Sequence, residues 1–389
     1  MIGTSASSFR STDFMVNLYE RQYTHAGFIG TLITEGSSYS QKVSSFGGAD
    51  QAEFSLVISE PEIEDWLANG LGRWIKVTDP ELRVIWCGFI NEISIQISGL
   101  EYKIGPVTEI ANRVRATYTP QQVNVNPPIT EEQQVTDWAD DLDSQREFGI
   151  IEETISAYNM DSAGAEAVRD LWLTENAWPA REGNYRGDSD GYSMSVSCLG
   201  AQHSLNFFTF FETTITSISS PGGMIRRVLS ANPNYNYLST DTQFVGDVDN
   251  YLYVYQETGI KGLDAIRGYT SVGDDAGNKT LFWVDDERVC HFGYAPTEPE
   301  YFTTLKDASR RIFVADGTEV PPWNVQPGRW IQYMDLPILA IDGSLQSDPR
   351  NFFIESISYS MPYGLQINGS SVKTINQRLA QLSMMGNRQ

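Results

Sequence analysis

The chain is 389 residues long and 41% hydrophobic, so it can bury sizeable cores, in two or three domains of about 150 residues each, and it is not a disordered chain. Its 50 acidic and 27 basic side chains give a formal net charge of -23. This sign disfavours tight binding of nucleic acid, because cations are needed to displace the counterions of phosphate. Solubility, salt adaptation and a passage whose walls must not retain DNA would each account for the acidity.

Residues 1–120 are predicted to form an N-terminal β-barrel-like domain. Within them, Ile93, Ile95 and Ile97 alternate with polar residues, the period of two that is typical of a strand with one buried and one wet face. Four or five such strands, joined by turn-length links, follow one another over residues 73–118 and predict an antiparallel meander or small barrel. No catalytic group is obvious there, so this domain is predicted to be a scaffold.

Residues 121–191 are predicted to be a linker followed by a helical insertion. Thr130 is predicted to cap a helix that runs to residue 147, because glutamates follow it in the first turn. A second helix is predicted over residues 162–177 from apolar residues at three-four spacing. Residues 181–191 are polar and glycine-rich, which predicts a loop or mobile arm.

Residues 192–389 are predicted to form one or more further β-rich domains. The apolar run LNFFTFF, residues 205–211, predicts a buried strand, and residues 280–284 and 289–294 predict a hairpin. An amphipathic helix over residues 374–385 is predicted to close the chain. The predicted fold class is therefore mainly β with an α-helical insertion, built from antiparallel β-barrel or meander domains.

Short acidic groups in loops are the main candidates for a metal site. Their oxygens could bind calcium, but none has the spacing of an EF-hand loop. In so acidic a chain, turn chemistry alone is expected to produce such groups, so structural turns are favoured and no metal is predicted. The groups are Asp188 with Asp190 and Gly191, Asp247 with Asp249 and Asn250, and Asp274 with Asp275 and Asn278.

Three cysteines lie about a hundred residues apart and do not have the spacing of a zinc site or a disulfide framework. All three, Cys87, Cys198 and Cys290, are predicted to be small buried hydrophobes. Cys198 with His203, or Cys290 with His291, could form a Cys/His site. Adjacent residues on a strand point to opposite faces, so the second pair is disfavoured. No catalytic residue is predicted from either pair.

A carbohydrate-binding or glycan-cleaving protein, on a virion or a cell surface, is the alternative function. A glycosidase needs two carboxylates across a cleft and no fixed spacing between them in the sequence. Trp283, Trp323 and Trp330 could stack on sugar rings, although aromatic residues on strands more often belong to a core. No phosphate-binding loop, dinucleotide fingerprint or other catalytic motif is present in the sequence.

The N-terminal sequence lacks the basic and apolar regions of a signal peptide, and no run of about 20 apolar residues predicts a membrane-spanning segment. Synthesis in a cytoplasm is therefore expected.

Several short patterns follow one another in the order found in a known family. After a short helix predicted over residues 62–69 come GLGRWIKVTDP, RVIWCGFINEISIQISGLEYKI and EIANRVRATY, and then TDWADDLDSQREFGIIEETIS, AEAVRDLWLTENAWP and SVSCLGAQHSLNF. In this order they resemble central tail proteins of tailed bacteriophages, which are minor tail or baseplate hub-like structural proteins. The resemblance spans residues 80–210, and residues 200–203 depart from the more aromatic sequence of the family.

The resemblance implies a non-enzymatic component of the virion tail, at the tail tip or baseplate hub, that supports assembly, host attachment and genome delivery. It implies a homo-oligomer, either a trimer or a hexameric ring, around the channel by which DNA leaves. Other tail proteins would be its partners, and DNA would pass transiently without specific binding. The helical segment 130–179 would dock on a neighbouring protein. The family supplies no catalytic residue and no cofactor.

Overall fold

The computed structural model describes most of the chain. It describes residues 14–21, 27–33, 39–56, 60–122, 129–130, 132–158, 160–185, 192–211, 219–234, 236–248, 259–274, 278–304, 311–334, 337–339, 345–347, 350–360 and 364–370. The predicted helix at residues 374–385 lies outside these ranges.

Strands dominate the elements of the described chain. The first are β1 (Met15–Tyr19), β2 (Phe28–Ile33), β3 (Tyr39–Ser44), β4 (Phe46–Leu56), α1 (Glu60–Asn69), β5 (Trp74–Thr78), β6 (Val84–Ile97) and β7 (Leu100–Ile104). There follow β8 (Arg113–Tyr118), β9 (Gln121–Gln122), β10 (Ile129–Thr130), β11 (Gln134–Val135), β12 (Ala139–Asp140), α2 (Leu142–Phe148), β13 (Glu152–Ala157), α3 (Ser162–Asn176), β14 (Arg181–Tyr185) and β15 (Tyr192–Leu199). The last are β16 (Thr209–Phe210), α4 (Pro221–Ala231), β17 (Ile260–Lys261), α5 (Gly262–Val272), β18 (Thr280–Val284), β19 (Cys290–Tyr294), β20 (Pro299–Thr303), β21 (Ile312–Phe313), β22 (Glu319–Val320), β23 (Trp330–Tyr333), β24 (Pro337–Leu339), β25 (Leu345–Ser347), β26 (Arg350–Ser360) and β27 (Gly364–Ser370). Short 3₁₀ helices cover Val107–Glu109, Ala201–Phe207 and Pro322–Asn324.

Strand β6 is the centre of the main sheet. One of its edges pairs antiparallel with β5 and then β7, and the other edge pairs with β15. Strand β15 also pairs with β4, and the sheet continues through β3 to β26. Among the described residues no pairing joins the two ends of this path, so the sheet is an open, antiparallel-rich sheet and not a closed barrel. The mainly β fold class is confirmed.

The alternation predicted for β6 is present in the structure. Ile93 and Ile95 have no exposed surface, and Ile97, nearer the end of the strand, is half-buried. Met194 of β15 lies opposite Ile95 across one edge and opposite Leu56 of β4 across its other edge. The buried face of β6 therefore packs in the largest hydrophobic cluster of the molecule, whose members come from residues 14–359.

Strand pairing crosses both predicted domain boundaries. Strand β15, from the predicted C-terminal domain, lies between β4 and β6 of the predicted N-terminal domain. Strand β3 pairs with β26, which is close to the end of the described chain. The division at residues 120 and 191 stays a prediction, and any such domains would share one sheet.

A second, smaller sheet surrounds β8. Strands β11 and β12 pair antiparallel with one of its edges, and β13 pairs parallel with the other. Helix α3 packs on this sheet through Ala165, which meets Ala116, Tyr118 and Ala157. We refer to β8, β11, β12, β13, α2 and α3 together as the α3 layer.

The first predicted helix of the insertion is wrong over most of its length. Residues 134–135 and 139–140 are strands, and the helix begins only at Leu142. Between them, Thr136 donates its N–H to Ala116 O and accepts the Ala116 N–H on Oγ1, at 2.9 and 3.0 Å. The backbone of β8 needs partners on this edge, and that demand overrides the local preference for helix.

Two further predictions near β15 are wrong. The strand predicted over residues 205–211 is present only at Thr209–Phe210, and residues 205–207 end a 3₁₀ helix, because a short run of apolar residues does not distinguish a buried strand from a buried helical turn. Residues 181–185 form β14 and not a loop, because β7 offers them a free edge. The second helix of the insertion is confirmed as α3, and the hairpin is confirmed as β18 and β19.

Candidate interaction surface

The acidic groups do not assemble a metal site in the described part of the chain, where no cluster of three or more His, Cys, Asp or Glu side chains is arranged to hold a metal ion. Asp274 accepts the backbone N–H and the side-chain amide of Asn278, both at 2.6 Å. Asp247 accepts the Ser220 hydroxyl and the Arg226 guanidinium, and these contacts, the hydroxyl first, hold its pKa below the usual value. Asp274 therefore stabilises a turn, and Asp247 is bonded to the first turns of α4. The remaining predicted ligands, Asp188, Asp190, Gly191, Asp249, Asn250 and Asp275, lie outside the described residues.

Neither Cys/His pair is brought together. His203 Nε2 lies 2.9 Å from Asp50 Oδ1, and His291 Nε2 lies 2.7 Å from Asp285 Oδ2. Cys198 and Cys290 are fully buried, and burial raises the pKa of the Cys290 thiol to about 12. At neutral pH that thiol is protonated and is not a nucleophile.

The three tryptophans considered as sugar platforms have different surroundings. Trp323 is buried and packs edge-on against Phe14. Trp330 packs against Phe353 and donates its indole N–H to Pro296 O at 2.7 Å. Trp283 is partly exposed and stacks on the ring of His291. Two of the three are therefore core residues.

Asn112 joins two of the segments on which the family resemblance rests, EIANRVRATY and TDWADDLDSQREFGIIEETIS. It is fully buried; its side-chain amide donates to Gly149 O at 2.8 Å and to Ser144 Oγ at 3.2 Å, and its Oδ1 accepts the Ile151 N–H at 2.8 Å. Its backbone carbonyl accepts the Gln145 side-chain amide at 2.9 Å. The Asn-Arg-Val, Ser-Gln and aromatic-Gly-Ile patterns thus meet at one buried polar centre.

The same centre fixes both helices of the α3 layer. Asp141 caps α2 by accepting the Ser144 N–H at 2.9 Å, and the Ser144 hydroxyl donates to Ala177 O just beyond α3. The Ala111 N–H donates to Asn176 O, the last residue of α3, at 2.8 Å. These patterns therefore hold the layer in place.

Glu152 lies at the junction between the α3 layer and the main body. Its Oε2 accepts the Thr209 N–H at 3.2 Å, and its Oε1 lies 3.7 Å from the Arg113 guanidinium. Burial raises the pKa of Glu152, although the Thr209 hydrogen bond and nearby cations oppose this. Beside it, the Arg115 guanidinium lies between the rings of Trp138 and Phe211, at 4.4 and 4.3 Å from their centroids. The junction is therefore polar and aromatic.

The α3 layer and the residues that flank it expose several large apolar side chains. Leu171, on α3, is 59% exposed, and Tyr158, just before α3, is 75% exposed. Large exposed hydrophobics in one region mark interaction surfaces in soluble proteins. Seven of those found among the described residues belong to this region: Val135, Leu142, Tyr158, Met160, Leu171, Trp172 and Trp178.

Strand β14 extends this surface. It follows α3 directly, and all five of its residues are exposed, including Tyr185. In the described part of the chain it pairs only with β7, so its other edge has backbone groups open to a partner. The sequence did not predict this strand, because nothing in its polar composition distinguishes it from a loop.

No protein-family model matches the chain, and no curated protein matches it. Among solved structures, the chain is similar to the 43 kDa tail protein of prophage MuSo2 from Shewanella oneidensis, with 8% identity and a TM-score of 0.40 over 93% of this chain and 97% of that one. It is also similar to the tail protein from Neisseria meningitidis MC58, with 8% identity and a TM-score of 0.38 over 91% of this chain and 96% of that one. Both scores lie below the range of chains that share a fold, so the function proposed below rests on the residues of this chain.

The described helices are all too short or too polar to cross a lipid bilayer.

Proposed function

We propose that this chain is a structural component of a bacteriophage tail, at the tail tip or baseplate hub, and not an enzyme. Copies of the chain form a symmetric homo-oligomer, a trimer or a hexameric ring, around the channel by which DNA leaves. Other tail proteins bind to this assembly, which supports tail assembly, host attachment and genome delivery.

The exposed apolar surface of the α3 layer is the observation that carries this proposal. Leu171 and Tyr158 lie on the outside of a layer whose own core contains mainly alanines. Leaving such side chains in water costs free energy that a protein partner removes, at roughly 25 cal/mol per Å² of apolar area. Three of the segments that resemble tail proteins hold this layer in position, so part of the resemblance concerns the region that carries the surface.

The charge of the chain suits the passage of DNA. With 50 acidic and 27 basic side chains, the protein repels phosphate over distances of about a Debye length, roughly 8 Å at physiological salt. A channel wall of this composition releases DNA and does not retain it. We therefore expect DNA to pass through the channel transiently, without specific binding.

The test compares two variants of α3 that add the same charge. Leu171→Glu removes an exposed apolar side chain, and Thr174→Glu changes an exposed polar residue one turn away on the same helix. Light scattering and negative-stain electron microscopy of the purified chain should show three- or six-fold particles for the parent and for Thr174→Glu. Leu171→Glu should weaken association by about tenfold or more, the effect of losing about 1.4 kcal/mol at an interface.

Labelling of phage particles tests the location separately. An antibody against this chain should bind at one end of the tail. A label that is absent from the tail, or a parent chain that stays monomeric at every concentration, would contradict the proposal. The carbohydrate alternative predicts instead binding on a glycan array and release of reducing sugars, and no placement of carboxylates or tryptophans in the described residues favours it.

A further inference from the structure

Residues 371–389, which we refer to as the basic segment, differ in charge from the rest of the chain. They lie outside the described residues, but their sequence contains three basic side chains, Lys373, Arg378 and Arg388, and no Asp or Glu. In the whole chain, acidic side chains outnumber basic ones by 50 to 27. The basic segment is therefore attracted to acidic surfaces of the same protein.

The basic segment also has an apolar pattern. Ile375, Leu379 and Leu382 recur at spacings of four and three residues, which predicts the apolar side of the helix over residues 374–385. An isolated helix of about 12 residues is marginal in water, because most of the stability of such a helix comes from packing of its apolar face. The segment therefore needs a surface that is both apolar and acidic.

The outward side of α3 has both properties. Leu171, on the helix, and Trp178, just beyond it, are 59% and 47% exposed. Glu175 follows Leu171 by four residues, so the two lie on the same side of α3, and its side chain is exposed. Among the described residues, the one ion pair of α3 joins Arg169 to Asp170, so Glu175 has no basic partner there.

The α3 layer as a whole keeps a negative charge. Residues 130–179 contain 13 acidic and two basic side chains, a formal charge of -11 out of -23 for the chain. Among the described residues, the cations from outside this range that form ion pairs with it are Arg21, Arg113 and Lys261. Five cations do not neutralise 13 carboxylates, so the layer attracts a basic ligand.

The position of β27 favours the basic segment of a neighbouring copy as that ligand. Ser370, the last described residue, lies opposite Phe353 of β26. In the main sheet β27 is separated from β14, the strand that follows α3, by β26, β3, β4, β15, β6 and β7. Measured along the sheet at about 4.8 Å per strand, this is more than twice the span of residues 371–373, at most about 14 Å.

We propose that residues 374–385 of one copy bind as an amphipathic helix on the outward side of α3 of a neighbouring copy. Ile375, Leu379 and Leu382 cover Leu171 and Trp178, and the cations of the segment lie beside carboxylates of the α3 layer. This contact rests on the homo-oligomer of the proposed function and identifies which two surfaces of the chain meet.

Fluorescence anisotropy tests the contact with a labelled synthetic peptide of residues 371–389 as the probe. The acceptor is the full chain with Leu379→Asp, so that its own segment does not compete. The peptide should bind, and raising the salt concentration should weaken binding. Adding Leu171→Glu to the acceptor should weaken binding by about tenfold or more, because it removes a central apolar contact and repels none of the peptide's other partners.

Two controls separate a specific site from general attraction. Leu82→Glu adds the same charge at an exposed leucine in the turn after β5, outside the α3 layer, and should leave the affinity unchanged. A peptide with the same composition, but with the spacing of Ile375, Leu379 and Leu382 scrambled, should bind at least about tenfold more weakly. Equal loss with Leu82→Glu and Leu171→Glu, or equal binding of the scrambled peptide, would overturn the site.

Light scattering of the full chain distinguishes this inference from the proposed function. Leu379→Asp should weaken association of the copies by about tenfold or more. If the parent forms three- or six-fold particles and Leu379→Asp forms them as readily, the contact is wrong and the proposed function stands. A parent chain that stays monomeric contradicts the proposed function, and if the peptide still binds the acceptor, the segment binds within its own copy and the contact between copies is overturned.

Discussion

The main sheet and the α3 layer bury apolar surface with side chains of different size. The main cluster combines large side chains, such as Trp74, Phe89 and Ile95, from strands that are distant in sequence. The separate cluster beneath α3 has four buried hydrophobics, of which three are alanines. Burial of alanine removes little apolar area from water, so this layer gains little from its own packing.

The difference indicates where stability and where recognition are located. The main sheet is held by its core, and the α3 layer is held by hydrogen bonds around Asn112 and by the junction at Glu152. A layer positioned by polar contacts can leave large apolar residues such as Leu171 on its outside. We therefore expect substitutions in the main sheet to change folding and substitutions on the outside of the layer to change association.

Ile95→Asp should have the largest effect. The side chain is fully buried, on a strand that lies between β7 and β15 at this point, so the carboxylate would have neither water nor a partner. We expect a loss of at least about 5 kcal/mol, comparable to the whole stability of a typical domain, and no soluble folded protein. Ile95→Val should cost only about 1 kcal/mol in urea unfolding. A soluble and fully assembled Ile95→Asp variant would show that the buried face of β6 has been assigned wrongly.

Gly200→Ala, also in the main sheet, should have the second largest effect. A Cβ at this position would lie 1.6 Å from Ala49 O, so β4 and the start of the 3₁₀ helix would have to separate. We expect a loss of about 3 kcal/mol in the free energy of unfolding. Gly293→Ala is the control, because a Cβ there meets nothing within 4 Å, and it should change stability by no more than about 0.5 kcal/mol. Similar melting curves for the two variants would contradict the close approach at Gly200.

Asn112→Ala should loosen the α3 layer and leave the main sheet intact. It leaves the Ile151 N–H and the Gly149 carbonyl buried without their partner, which we expect to cost about 3 kcal/mol. Hydrogen exchange should accelerate over residues 132–158 and stay slow in β6. Asn176→Ala, which removes an exposed amide contact in the same layer, should have little effect. Uniform acceleration throughout the chain would show that the layer and the sheet unfold as one unit.

Asp79 in the main sheet and Glu152 in the α3 layer should make the free energy of unfolding depend on pH in opposite directions. This effect should be smaller than those of the substitutions above. Asp79, in the turn after β5, is fully buried; burial raises its pKa, but hydrogen bonds from Arg83 and Glu81 outweigh this and lower it. Its contribution to stability is therefore present above the usual pKa of 3.8 and lost as the pH falls. Glu152 has a raised pKa, so its contribution is highest below the usual value of 4.5 and falls as the pH rises through the folded-state pKa.

Urea unfolding at pH 3 and pH 7 measures both contributions. Asp79→Asn should destabilise at pH 7 by about 1–3 kcal/mol and much less at pH 3. Glu152→Gln should be least harmful at pH 7, where it removes the cost of a buried charge. If Asp79→Asn and Glu152→Gln change the pH dependence in the same direction, the assigned environment of one of them is wrong.

Elements whose side chains repeat with a clear period can be predicted from the amino-acid order. Alternation predicted β6 from Ile93 and Ile95, three-four spacing predicted α3, and two short strands around an acidic turn predicted the hairpin of β18 and β19. Such a pattern depends only on which face of an element is apolar, and that property is local.

The other elements depend on tertiary contacts. Residues 134–135 and 139–140 became strands because β8 needed hydrogen-bond partners, and residues 181–185 became β14 because β7 had an open edge. The centre at Asn112 joins residues that are far apart in sequence, so no window of the chain contains it. The sequence specifies which side chains must be buried, but the hydrogen bonds of a strand edge or of a buried amide depend on which distant segment arrives there.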